Sequence, residues 1–182
     1  AGMALAAVEG EVRAAKPQGI RVGMLTAPFG GEPLEVVLDF ARQAGIHCLE
    51  VVAEPGSPHL DPMNFDPARA DAIKKMLDDR GGLEITALAN YMDATEAGKT
   101  EEVQTIARKI IDAAALLGVP VVCMQTGSAA PRMTKINTIR KVLPKIHGPI
   151  IAYAAEKNIK IAVENYFETC LQGIDTFECL FE

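Results

Sequence analysis

The chain has 182 residues, with 18 lysines and arginines against 24 aspartates and glutamates, and 49% of it is hydrophobic. The resulting charge of −6 argues against a nucleic-acid or anionic-membrane partner, since both select clustered basic residues. Such a hydrophobic fraction excludes a disordered chain, and no apolar run approaches the ~20 residues of a membrane span. The length suits one domain with a sizeable core, or part of a larger one.

Four well-separated cysteines (Cys48, Cys123, Cys170, Cys179) form no CxxC pair, which fits buried thiols and a cytoplasmic address. Residues 1–19 are alanine-rich, and Glu9 closes their short apolar stretch. They are expected to be a tail or outer helix rather than a signal peptide. The domain proper is expected over residues 20–182.

From Ile20 onward, strands and helices are predicted to alternate. A first strand, Ile20–Leu25, runs into Thr26-Ala27-Pro28-Phe29-Gly30-Gly31, which matches no phosphate-binding loop. Leu34, Val37, Leu38 and Ala41 then make one helical stripe, ending at Gly45 as a left-handed cap. The second strand, Ile46–Val52, holds Glu50 inside an apolar run, where an acid is rare unless paired. His59 lies on the long loop that follows, a position where histidine is ordinarily solvated. Asp66-Pro67 starts a helix with Ala70, Ile73 and Leu77 inward.

A third strand, Leu83–Leu88, leads to Asn90-Tyr91, a pair suited to ligand contact or to turn chemistry. Thr100 is a plausible cap for the next helix, whose stripe of Val103, Ile106, Ala107, Ile110 and Leu117 closes at Gly118. The fourth strand, Val119–Met124, contains Cys123, read as buried packing. The Gln125-Thr126-Gly127-Ser128 run after it suits hydrogen bonds to a polyol or simple loop closure. Lys135 to Lys157 is helical but interrupted by Pro144 and Pro149, so two pieces or a kink are expected. The fifth strand, Ile159–Glu164, ends in an acid followed by Asn165 and Tyr166, and another helix begins near Asp175. His47 and His147 read as structural.

This alternation predicts βα units on a parallel sheet. Helix-to-strand turns are brief and strand-to-helix loops long, which places the working face at the C-terminal ends of the strands. A five-stranded doubly wound sheet fits the length. The predicted strands start about 35 residues apart on average, however, and eight such units would need about 280 residues, in the range of a (β/α)8 TIM barrel. An incomplete barrel of five βα units is therefore favoured. Glu164 is the residue most suited to chemistry. An apolar strand delivers its carboxylate to the mouth of the sheet, where a cation such as Mg²⁺ or Mn²⁺ would offset the cost of leaving water.

Four stretches carry a resemblance. They are Ala44-Gly45-Ile46-His47-Cys48-Leu49-Glu50-Val51, Leu83 to Tyr91, Ala115 to Val122, and above all Ala152-Tyr153-Ala154-Ala155-Glu156-Lys157-Asn158-Ile159-Lys160-Ile161-Ala162-Val163-Glu164-Asn165. With these the chain resembles the sugar phosphate isomerase/epimerase family of xylose isomerase-like TIM barrels, from about residue 20 onward. The resemblance implies one divalent metal (Mn, Mg, Co or Zn) at the barrel mouth, a ligand and catalytic carboxylate at Glu164, and a pocket-floor acid at Glu50. It implies substrate contacts at Glu50, His59, Asn90, Tyr91, Asn165 and, by a looser alignment, Glu168. A proton is moved beside a carbonyl through an enediolate, on a small sugar or polyol substrate.

The family's other ligands (an Asp, a His and a second Glu) come from strands six to eight, which have no counterpart in these 182 residues. The fragment alone is thus expected not to be fully active. The alternative is a non-catalytic polyol-binding or scaffold module of five βα units, whose bare sheet edges would favour a homo-oligomer.

Overall fold

The computed structural model describes residues 21–182. Strands β1 (Gly23–Leu25), β2 (Cys48–Val52), β3 (Glu84–Asn90), β4 (Val121–Gln125) and β5 (Lys160–Glu164) form one parallel sheet in the order β1-β2-β3-β4-β5. Helices α1 (Leu34–Gln43), α2 (Pro67–Asp78), α3 (Thr100–Leu117), the pair α4 (Lys135–Lys141) and α5 (Leu143–Glu156), and α6 (Ile174–Phe181) follow the strands in turn. Each strand lies beside its predecessor, so successive right-handed crossovers all step the same way and leave their helices on one face. A doubly wound sheet must reverse direction once. The observed order therefore excludes that alternative and matches part of a barrel.

The core lies between the sheet and this single helical layer. Leu49, Val51, Ile85, Leu88, Val122 and Met124 from the strands meet Leu34, Leu38, Ile73, Ile106, Ile110 and Ile150 from the helices. Side chains of this size contribute roughly 1.5–3 kcal/mol each when fully buried. The predicted stripe of α1 is wholly buried, and so are Ala70, Ile73 and Leu77 of α2.

Helix ends follow local chemistry. The Asp66 carboxylate caps α2 by accepting from the Arg69 N–H at 2.8 Å. Gly45 and Gly118 take left-handed φ of 70° and 75° after α1 and α3, a conformation that favours glycine. Thr100 does not cap α3: it is the first helical residue, Lys99 holds the cap position without a side-chain bond, and Glu101 and Glu102 complement the helix dipole instead. The fourth helical region is two helices meeting at Val142. Pro144 falls in the first turn of α5, where its missing N–H costs no bond, while Pro149 stays inside the helix.

All five strands differ from their predicted extent by one to three residues at an end, and two of the shifts bear on the sheet. β1 is paired only over Gly23–Leu25, as an edge strand bonded on one side, and Val22 is exposed. β3 runs on to Asn90 because Leu88, Ala89 and Asn90 register with Val122, Cys123 and Met124 of β4. The expected tail or outer helix of residues 1–19 lies outside the described residues. Among the described residues no helix is long and apolar enough to cross a membrane.

The strand-to-helix loops (53–66, 91–99, 126–134 and 165–173) exceed the helix-to-strand turns (44–47, 79–83, 118–120 and 157–159) throughout. All the longer loops leave the same end of the sheet, at the C-termini of parallel strands.

Candidate active site

Strand side chains alternate between faces. Leu49 and Val51 of β2, and Val122 and Met124 of β4, sink into the helix-covered core. Glu50, Cys123 and Gln125 therefore turn to the opposite, open face. On β5, Val163 lines a cleft with Leu143 and His147 on the helical side, so Glu164 turns back toward Glu50. Gln125 and Glu164 are register partners at the strand ends, and the Gln125 amide donates to Glu164 Oε2 over 3.4 Å. Small residues, Ala87 and Ala89 of β3 and Ala162 of β5, leave space between these polar groups. Farther down, Gly23 lets β1 approach closely: a Cβ there would stand 3.0 Å from the Cys48 carbonyl oxygen.

The group is electrostatically coherent. Burial pushes the Glu50 carboxyl up, a hydrogen bond with Cys123 opposes this, and the Glu164 charge raises it further. Burial also pushes the Cys123 thiol up to about 12, with Glu50 and Glu164 adding to the rise. The Tyr91 phenol is raised by burial first, then by Glu164, Glu50, Cys123 and Glu54. Burial first and negative neighbours second thus raise all three groups, an arrangement that favours a cation or a hydrogen-bond donor entering among them.

Of the expected site residues, Glu164, Glu50 and Tyr91 converge at this mouth. His59 is not solvated but buried, with Nε2 3.2 Å from the Phe29 carbonyl oxygen. Asn90 is also buried, and both ends of its amide are in use: Nδ2 donates to the Ala53 carbonyl at 3.1 Å and Oδ1 accepts from the Met92 N–H at 3.2 Å. It ties the β2 and β3 loops together. Asn165 and Glu168 are exposed on the loop after β5, Glu168 with a left-handed φ of 67°. On the same loop Tyr166 and Phe167 stack with ring centroids 4.2 Å apart.

A chain of bonds holds these loops over the strand ends. Asp93, after β3, accepts from the Ser128 N–H at 3.1 Å and the Thr95 N–H at 3.0 Å. Burial alone would raise its carboxyl, but the bonds from Thr95 and Ser128 outweigh it and hold the group below the ordinary aspartate range. The Gly127 carbonyl accepts from the Cys170 N–H at 2.7 Å, and the Thr126 hydroxyl accepts from the Leu171 N–H at 3.2 Å. Three successive loops are thereby latched into one rim.

The family profile described as Xylose isomerase-like TIM barrel matches residues 38–181. The chain belongs to that family. Among solved structures, it is similar to a xylose isomerase-like TIM barrel protein from Mycobacterium smegmatis in complex with magnesium. That match has TM-score 0.66 and 15% identity, covering 88% of this chain and 60% of that one. A sugar phosphate isomerase/epimerase from Parabacteroides distasonis matches with TM-score 0.59 and 20% identity, over 92% of this chain and 63% of that one. A D-allulose 3-epimerase from Methylomonas sp. matches with TM-score 0.61 and 18% identity, over 91% and 61%. The chain therefore spans about three-fifths of the length of these proteins. No curated protein matches it.

The donor chemistry of the mouth suits a hard dication, since carboxylate and amide oxygens are the preferred ligands of Mg²⁺. The donor number does not. Among the described residues no three His, Cys, Asp or Glu side chains converge on one point, so these residues alone do not complete a metal site.

Cys123 and Glu54 were not expected as site residues, and Gln125 only as part of a run able to bond a polyol or close the loop. Cys123 and Gln125 were detectable from alternation: once Val122 and Met124 are assigned to the core, their neighbours must face the mouth. Glu54 gave no such signal, because it follows the strand and its direction is set by the loop. It is the bond from the Tyr91 N–H to Glu54 Oε1, at 2.9 Å, that points it there.

Proposed function

We propose that this chain carries the first five βα units of a metal-dependent sugar isomerase or epimerase. The observation that carries the reading is the convergence of Glu164, Glu50 and Tyr91 at the C-terminal ends of a sequentially ordered parallel sheet. In this reading Glu164 would be one ligand of a divalent metal, which would supply polarisation of the substrate carbonyl. Glu164 takes or returns the proton beside that carbonyl, as a carboxylate at the open strand end. Burial and the Glu164 charge raise the Glu50 carboxyl beneath it. Tyr91 offers a phenolic donor to a substrate hydroxyl. The latched loops hold these groups at fixed spacing and restrict water.

The test uses the protein extended through its remaining strands and assays interconversion of free ketoses with added Mn²⁺ or Mg²⁺. Glu164→Gln should lower kcat by about 10²–10⁴-fold, the usual contribution of a general acid–base group. Activity retained at wild-type level in that variant would refute the assignment.

A further inference from the structure

We propose that two copies of this chain associate through β5, edge against edge and antiparallel, about a two-fold axis at Ala162. This association is independent of the sugar-isomerase reading. Among the described residues β5 lies at one end of the sheet and pairs with β4 alone. The Lys160 N–H donates to the Pro120 carbonyl at 2.9 Å, so the backbone groups of residues 160, 162 and 164 turn toward β4. By alternation those of Ile161 and Val163 turn outward, as donors and acceptors on an open edge.

Any edge strand presents such a row. The partner is selected by the sequence Lys160-Ile161-Ala162-Val163-Glu164, which is complementary to itself when turned end for end. Ile161 meets the partner's Val163 as a hydrogen-bonded pair, the two exchanging their outward N–H and carbonyl groups. Ala162 meets the partner's Ala162, and Lys160 the partner's Glu164, as non-hydrogen-bonded pairs, in which side chains stand closest. Opposite charges thus face each other at both ends of the seam. Sliding the strands by two residues either way keeps the hydrogen-bonding phase but sets Lys160 opposite the partner's Ala162 or the partner's Tyr166.

The two faces of the strand agree with this register. A two-fold axis perpendicular to the sheet keeps both helical layers on the same side. Ile161 packs against the core, and Val163 lines an apolar cleft of ≈ 490 Å³ with Leu143, His147, Ile151 and Leu180. The partner's Ile161, opposite Val163 and on the same face, extends that apolar wall. On the open face the partner's Lys160 brings a cation to Glu164.

The 182-residue chain is followed by sedimentation equilibrium at rising concentration, beside Lys160→Glu, Glu164→Lys and an equimolar mixture of those two variants. The parent should reach twice its 19.4 kDa mass. Each variant alone sets like charges opposite each other at both ends and should dimerise at least about tenfold more weakly. Mixed, the two restore opposite charges and should form a heterodimer of parental affinity. Positions 160 and 164 of one strand lie about 13 Å apart, so this rescue cannot arise within one chain. Circular dichroism checks the fold of each variant, and hydrogen exchange at the Ile161 and Val163 amides of the parent should slow as the dimer forms. A parent that stays monomeric at millimolar concentration would overturn the proposal. So would a dimer indifferent to both charge reversals, or variants that stay apart when mixed. Protection of those two amides in a monomer would overturn it too, since the chain would then cover its own edge.

Discussion

Replacing Gly127 by alanine tests the latch that joins the loops after β3 and β4. Gly127 has a φ of 78°, so any side chain carries left-handed strain of about 1–2 kcal/mol. Its added methyl would also run into the Asp93 carboxylate, and would stand 2.7 Å from the Ala94 nitrogen and 2.9 Å from the Thr95 nitrogen. Two of those contacts are backbone, which cannot swing aside, so overpacking adds about 1–3 kcal/mol. The total of about 2–5 kcal/mol corresponds to a Tm lowered by about 5–15 °C for a chain of this size. Gly82 supplies the control. It has a nearly identical φ of 77°, but a Cβ there meets nothing within 4 Å. Gly82→Ala should therefore show only the strain, about 1–2 kcal/mol. Thermal and urea unfolding of the two variants side by side decide the matter. If Gly127→Ala loses no more stability than Gly82→Ala, the close packing of the rim is wrong.

Two further outcomes follow from the titrating groups. Burial holds His147 below its ordinary value, so the unfolded chain binds the extra proton. The associated stability is complete above about pH 6.5 and is lost as pH falls below it. Because neither ring nitrogen has a partner among the described residues, His147→Leu should match or exceed the parent at pH 7 and flatten the decline toward pH 5, as read by urea midpoints. A steeper decline in the variant would contradict this. At the mouth, Glu164→Gln removes a charge that raises Glu50, so the Glu50 carboxyl should titrate at lower pH by ¹³C NMR, and an unchanged midpoint would separate the two groups. Since a raised carboxyl favours the protonated fold, stability from Glu50 is present at low pH and lost as pH climbs through the raised value. Glu50→Gln should then be more stable than the parent at neutral pH.

The repeating strand–helix rhythm, the buried faces of α1 and α2, the Asp66 cap and the long loops at one end are all local in origin. They come from spacing of apolar residues and from residues with a conformational preference, which is why they could be read along the chain. Glu164 and Glu50 were legible for the same reason, as acids set into apolar strands. Strand order was not legible. Both a barrel and an open sheet use the same units, and only the pairing of each strand with its predecessor separates them. The surroundings of the loop residues were equally hidden. His59 is buried against Phe29 and Asn90 is consumed by backbone groups, because bonds spanning thirty or more residues close over them. Local sequence thus determined what each segment is and which side it buries. Tertiary structure alone decided which acids share a charge environment, because that depends on distances between segments far apart in the chain.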